Sequence, residues 1–189
     1  MENKVIKGMA AIGLKLLLIC AVVAGVVSFV YTVTIDAYHQ NLDNELRQSV
    51  ATIFDAGEND EILLDVYEGT LDADIKAIYT VKINGADVGY CVNVLGKGFG
   101  GELNLMVGYH ADKTIRGVSL VSHSETPGVG TKAGEASHLS QYIGLSGELT
   151  ISKQEGADIT AISGATISSK AIHAAIERAS AVIRLFPMA

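Results

Sequence analysis

Cysteine is scarce in this chain: Cys20 and Cys91 are the only two in 189 residues. An iron–sulfur cluster takes about four thiolates, so the chain cannot ligate one by itself. No C-x-x-C pair and no His-rich spacing points to zinc. The two thiols fall in an apolar run and in a polar domain, and are not expected to pair. Any redox chemistry must therefore come from an organic cofactor or another subunit. Positive charge is also short. Residues 36–189 carry 11 Lys and Arg against 20 Asp and Glu, a net charge of −9. Such a surface makes nucleic acid an implausible partner. There is no internal repeat, no low-complexity linker, and no convincing set of catalytic acid, base and nucleophile.

Apolar residues are abundant, at 49% with a mean hydropathy of +0.32, and much of the excess lies in the first 35 residues. LLLICAVVAGVVSFVYTV, Leu16 to Val33, holds no charge. About 20 apolar residues cross a bilayer core, and Lys15 can snorkel to the surface beside it. A signal peptide has a shorter apolar region and a small-x-small cleavage site, which YTVTIDAYHQ does not offer. Ile19 likewise stands where a lipoprotein signal at Cys20 would need a small residue. The run is read as an uncleaved single-pass anchor. Lys4, Lys7 and Lys15 precede it, and Asp36, Asp43 and Glu45 follow. The positive-inside rule then leaves the N-terminus in the cytoplasm and the rest of the chain outside.

Beyond the span, Leu42, Leu46, Val50, Ile53 and Phe54 recur at helical spacing, predicting a helix that ends near Gly57. AIYTVKI and VGYCVNVL flank Asn84-Gly85, a hairpin signal. ELNLMVGYH and IRGVSLVSH flank ADKT, a second hairpin. Four strands forming an antiparallel meander with one buried face are expected. A short helix around His138–Ile143, a strand near Glu148–Ser152 and a helix from about Ser168 to Leu185 follow. On that last helix Ile172, Ile176, Ala179 and Ile183 share one face, while Lys170, His173, Glu177 and Arg184 lie elsewhere. The expected fold is α+β: one N-terminal transmembrane helix, then an antiparallel-sheet domain with flanking helices.

Three stretches invite a functional reading. LGKGFGGEL matches G-x-G-x-x-G by letter through Gly96, Gly98 and Gly101, but a strand rather than a helix follows, so a dinucleotide site fails. It reads as a tight glycine-rich connection that could pass near a ligand. In HSETPGVG, Pro127-Gly128 suits a type II turn; Glu125, Thr126 and freed backbone amides could face a polar ligand there. A metal held by His110, Asp112, His123 and Glu125 is conceivable, though the spacing matches no standard set. In SGATISS, Thr166, Ser168 or Ser169 could cap the last helix. The same helix start offers unpaired amides and the positive end of a dipole, which favour phosphate. Gly164 and Ala165 would leave room for a bulky group.

SGATISS also resembles the flavinylation motif [SD]-G-A-[TS]-x-[ST] of the FMN-binding domain family. GKGFGGEL, HSETPGVG and the final helix resemble further parts of that family, in its order, across about residues 77–185. With one span and 189 residues the chain is similar to the G-subunit family of Rnf complexes, ion-motive assemblies linking ferredoxin and NAD. The C subunit of the sodium-translocating NADH:quinone reductase shares the motif but is usually longer. The resemblance implies one FMN joined through its phosphate to Thr166 as a phosphoester. It places Glu125, Thr126, Gly128, Ser163, Gly164 and Ala165 around the cofactor. It further implies an electron-transfer role beside other membrane subunits, and a separate flavin transferase for maturation. The corresponding division is 1–35 for tail and span, 36–76 for a helix and connection, and 77–189 for the FMN-binding domain. One departure is Thr160, which stands where an acid often precedes A-I-S-G-A-T, with Asp158 nearby. Readings outside redox chemistry are a membrane-tethered binding module, in which SGAT merely caps, and a regulatory domain binding a ligand noncovalently.

Overall fold

A computed structural model describes residues 2–67, 69, 71–128, 130–154 and 156–186. The chain divides into two compact units, Met1–Asn44 and Glu45–Ala189. In the first, Gly13–Ile35 is long and apolar enough to cross a membrane, and none of its most apolar window is buried. Leu, which is not branched at Cβ, and small Ala keep this run helical despite its many valines. The run belongs to α1, Glu2–Phe54, so the helix expected beyond residue 36 is part of one element rather than a second helix. Its end is also earlier than Gly57. Asp55, at φ 55°, takes the left-handed position that stops the helix, and the Ala56 amide closes the turn on Ala51 O at 2.9 Å. Aspartate tolerates that conformation better than most side chains.

The second unit is built on a five-stranded antiparallel sheet in sequence order: β1 Ile62–Val66, β2 Ile75–Ile83, β3 Ala86–Lys97, β4 Glu102–Tyr109 and β5 Ile115–His123. The two anticipated hairpins are β2–β3, turning at Asn84-Gly85, and β4–β5. The edge strand β1 was not anticipated, because ENDEILLDV mixes charge into a short apolar run and leaves Leu63 and Val66 exposed.

The sheet is buried on both faces rather than one. Along β3 and β4, Tyr90, Val92, Val94, Leu103, Leu105 and Val107 point toward α3, Thr166–Leu185, and meet Ile172, Ile176 and Ile183. On the opposite face Cys91 and Met106 pack with Val50, Ile53 and Phe54 from the last turns of α1. Alternation with period two explains how one strand serves two cores. Arg116 fastens the α1 end. Its Nε and Nη2 donate to the carbonyls of Ile53 and Phe54, each at 3.2 Å, and its guanidinium lies 4.8 Å from the Phe54 ring centroid. Cations at a helix C-terminus satisfy its last carbonyls. Burial raises the Cys91 thiol well above its ordinary value, so it behaves as a core residue.

Between β5 and α3 run α2, Ala136–Leu139, a 3-10 turn, Ser140–Tyr142, and two short parallel strands, β6 Ile151–Ser152 and β7 Ile159–Thr160. The short helix and strand expected here are present but shorter, and β7 is additional. His173, off the isoleucine face of α3, is nevertheless buried, with Nδ1 3.4 Å from the Tyr142 hydroxyl.

Candidate functional site

Three loops meet beside the start of α3. The first is the β3–β4 connection, Gly98 to Gly101. The second leaves β5 through His123 and Glu125 to the turn at Pro127-Gly128. The third runs from β7 through Ile162 and Ser163 into α3. Between them lies a cavity of about 530 Å³ lined by Phe99, Glu125, Thr126, Gly164, Ala165 and Thr166, with Gly130, Lys153, Ile167 and Ser168 completing the wall. That volume is within the range of small-molecule sites.

The glycines matter for defined reasons. Gly128 sits at φ 79°, as the third position of a type II turn requires, and its amide donates to Thr131 Oγ1 at 2.9 Å. Gly164 sits at φ 87° with open space where a Cβ would be, so backbone conformation and not crowding selects glycine there. At Gly98 and Gly130 the reason is room. A Cβ at either would run into the Glu125 carboxylate, which lies between the two backbones.

Helix α3 begins at Thr166, two residues before the expected start. Its N-cap is Ala165, which has no side-chain capping bond. Neither Ser168 nor Ser169 caps: both are buried inside the first turn. Ser169 Oγ instead accepts the Ile162 amide at 3.2 Å, while Ala165 N donates back to Ile162 O at 3.1 Å. Together they fold the SGA turn against the helix. Thr166 Oγ1 is half-buried at the cavity wall, 3.4 Å from Ile162 O. The amides of Thr166, Ile167 and Ser168 belong to the first turn, which has no intrahelical acceptor for them. Negative charge is favoured at this end of α3.

The approach to the turn is held from two sides. Thr150 N and Oγ1 donate to Asp158 Oδ2 at 2.8 and 2.7 Å, and Asp158 N donates to Thr150 Oγ1 at 3.2 Å. These bonds hold the Asp158 carboxyl below its ordinary range and occupy it within the β6–β7 pair. On the other side, Thr160 N donates to Gln141 Oε1 at 2.8 Å, which turns Gln141 Nε2 toward His138 Nδ1 at 2.9 Å. His138 Nδ1 is therefore an acceptor, and its ring is neutral with the proton on Nε2. Burial lowers the His138 pKa below its ordinary 6.5. Under that shift the unfolded chain binds a proton below pH 6.5 that the folded chain refuses. Stability supplied by the neutral ring is present above that pH and declines as pH falls through it. Melting the full chain from pH 7 to pH 5.5 should show this decline, and His138→Gln should flatten it. An equal decline in the variant would remove His138 as its source.

Of the residues singled out from sequence, Glu125, Thr126, Gly164, Ala165 and Thr166 line one cavity. Ser163 is exposed in the turn and Gly128 supports the loop, and neither is in the wall. Phe99, Gly130, Lys153, Ile167 and Ser168 were missed. Phe99 sits inside a stretch already suspected of approaching a ligand. Lys153 lies 13 positions before Thr166 with no local pattern to mark it. The conceivable metal set does not assemble. Leu103 pairs with His123 and Tyr109 with Ile115, so His110 and His123 stand at opposite ends of the β4–β5 hairpin. At about 3.3 Å per strand residue they cannot share an ion. Among the described residues, no group of three or more His, Cys, Asp or Glu could hold one.

Comparison with known proteins adds what geometry does not. Residues 98–181 match the FMN-binding domain family. The G subunit of the Na(+)-translocating ferredoxin:NAD(+) oxidoreductase complex of Acetobacterium woodii is 38% identical over 122 residues, 61% of this chain and 53% of that one. The G subunit of the proton-translocating ferredoxin:NAD(+) oxidoreductase complex of Clostridium ljungdahlii is 32% identical over 111 residues, 57% and 60% of the two chains. The G subunit of the ion-translocating oxidoreductase complex of Shewanella loihica is 27% identical over 193 residues, 94% and 89%. In the first two, the match spans little more than half of the relative. A crystal structure of NqrC from Shewanella oneidensis aligns with a TM-score of 0.55 over 74% of this chain and 91% of that one. At 20% identity this is a likeness of fold.

Proposed function

We propose, from the match of residues 98–181 to the FMN-binding domain family, that the chain is a membrane-anchored electron-transfer subunit. It carries one FMN as a phosphoester on Thr166 and serves an Rnf-type ion-translocating ferredoxin:NAD oxidoreductase. One observation carries the reading. The Thr166 hydroxyl stands at the first position of α3, on the wall of the cavity and beside amides that lack helical acceptors.

The residues present fit that group. The first turn of α3 suits a phosphate, and Lys153 is the one cation among the described lining residues. Phe99 and Ile167, 74% and 57% exposed, offer apolar surface to a ring. FMN bound there would supply transfer of one or two electrons, with the protein setting position and electronics. Maturation falls to a separate flavin transferase acting on FAD. Thr166 would supply the hydroxyl oxygen of the phosphoester, with AMP as the leaving group and the transferase taking the hydroxyl proton. The chain itself then needs no catalytic base. A tether would also keep the flavin from diffusing away outside the cytoplasm, the side on which the positive-inside rule expects the domain. The other membrane subunits of the complex would be its partners. The alternative, the C subunit of a sodium-translocating quinone reductase, has the NqrC likeness behind it, and that likeness extends to fold alone.

Location and loading can be tested together. Protease added to intact spheroplasts should remove flavin fluorescence from the band near 19.8 kDa. Protection of a fluorescent band would overturn the orientation, and a band that never fluoresces would overturn the loading.

A further inference from the structure

Glu125 is buried, 6% exposed, in the wall of the cavity, and both carboxylate oxygens lack a hydrogen-bond partner among the described residues. Stripping water from a carboxylate without supplying donors is costly. The nearest backbone donors are already committed. Glu125 N donates to His123 Nδ1 at 3.3 Å, Gly98 N to Gly101 O at 2.8 Å, and Gly130 N to Thr126 O at 3.2 Å. The enclosure is also specific, since glycine at 98 and at 130 is what leaves the carboxylate its place. A ligand that enters the cavity can supply the missing donors once the Glu125 carboxylate turns toward it.

Flavin chemistry offers two kinds of donor. The ring edge presents one N–H between two carbonyls, and those carbonyls would repel the second oxygen of a carboxylate. The ribityl chain presents neighbouring hydroxyls, two donors for two acceptors. A phosphate ester at Thr166 would also put the ribityl chain, not the ring edge, next to the anchor, in the cavity that Glu125 and Thr166 both line. The terminal torsion of a glutamate is soft, so its oxygens can turn to meet the hydroxyls. We propose that Glu125 is the positioning residue for the sugar-alcohol chain of the flavin: its two carboxylate oxygens accept hydrogen bonds from neighbouring ribityl hydroxyls. The site thereby distinguishes flavins that carry that chain from the bare ring. This deepens the FMN reading and rests on it, but it does not depend on the covalent bond.

The test uses the unloaded full chain in detergent, titrated with riboflavin, which has the ribityl chain and no phosphate, and with lumiflavin, which has neither. Quenching of flavin fluorescence reports binding. Hydrogen bonds to a charged group are worth enough to expect riboflavin at least about tenfold tighter than lumiflavin. Glu125→Met, which removes both acceptors and keeps an unbranched side chain, should bring that ratio to within about twofold by weakening riboflavin alone. Its melting temperature should not fall, because an unpaired buried carboxylate is removed. Should Glu125→Met fail to fold, Glu125→Gln keeps one acceptor and should still lower the ratio by about threefold. A ratio near one in the unsubstituted chain, failure of both flavins to bind, an unchanged ratio in the variants, or equal weakening of both ligands would overturn the proposal. Failure of the Thr166 assignment would be seen separately, in the in-gel fluorescence of protein made with the transferase, because neither titrated ligand has a phosphate.

Discussion

Thr166→Ala should abolish in-gel flavin fluorescence at the 19.8 kDa band of protein made together with a flavin transferase, while the protein itself persists. The expectation combines two facts about one side chain. Thr166 Oγ1 is the hydroxyl presented at the cavity wall by the first residue of α3. It is not the cap, which falls at Ala165, and it donates a long hydrogen bond to Ile162 O at 3.4 Å. Removing a true capping hydroxyl costs about 1 kcal/mol, and Thr166→Ala should cost less than that. Flavin loss without stability loss identifies the acceptor. Surviving fluorescence would sink the assignment, and a stability loss with flavin retained would return Thr166 to a structural role.

The largest stability effect should come from the far side of the same helix. Ile176 is fully buried and, with Ile172, Ala179 and Ile183, forms the stripe that α3 lays on β3 and β4. Truncating a buried Ile to Ala costs about 2–5 kcal/mol through lost transfer energy and the cavity left behind. That is a large part of the roughly 5–15 kcal/mol of a typical domain. Ile167→Ala, on the same helix but 57% exposed, should change stability by no more than about 0.5 kcal/mol. Urea unfolding of both variants reads the difference. If they cost the same, the stripe does not hold α3 to the sheet.

Much of this molecule is legible in local pattern. Alternation marked β2 to β5, Asn84-Gly85 marked a turn, and the isoleucine spacing marked the buried face of α3. These signals survive because each arises from neighbours two, three or four residues apart. The errors occur where longer-range packing decides. The apolar run and the amphipathic stretch differ in pattern and read as two helices, although no internal stop separates them and α1 is one element. Strand β1 exists because β2 supplies its ladder, not because ILLDV is strongly patterned. Serines at the α3 start look like caps until Ser169 is seen holding the Ile162 amide.

The chain alone determined its apolar span, its acidic remainder, the hairpins, and the small-residue turn that opens α3, because composition and short-range periodicity encode all of these. Only tertiary structure decided that Phe99, Glu125, Lys153 and Thr166 border one cavity. It also decided that Asp158 is spent on Thr150 and that Glu125 is left without a donor among the described residues. Those outcomes depend on which loops the sheet brings together and on where water is excluded. Contacts between loops far apart in the chain leave no periodic trace in a sequence.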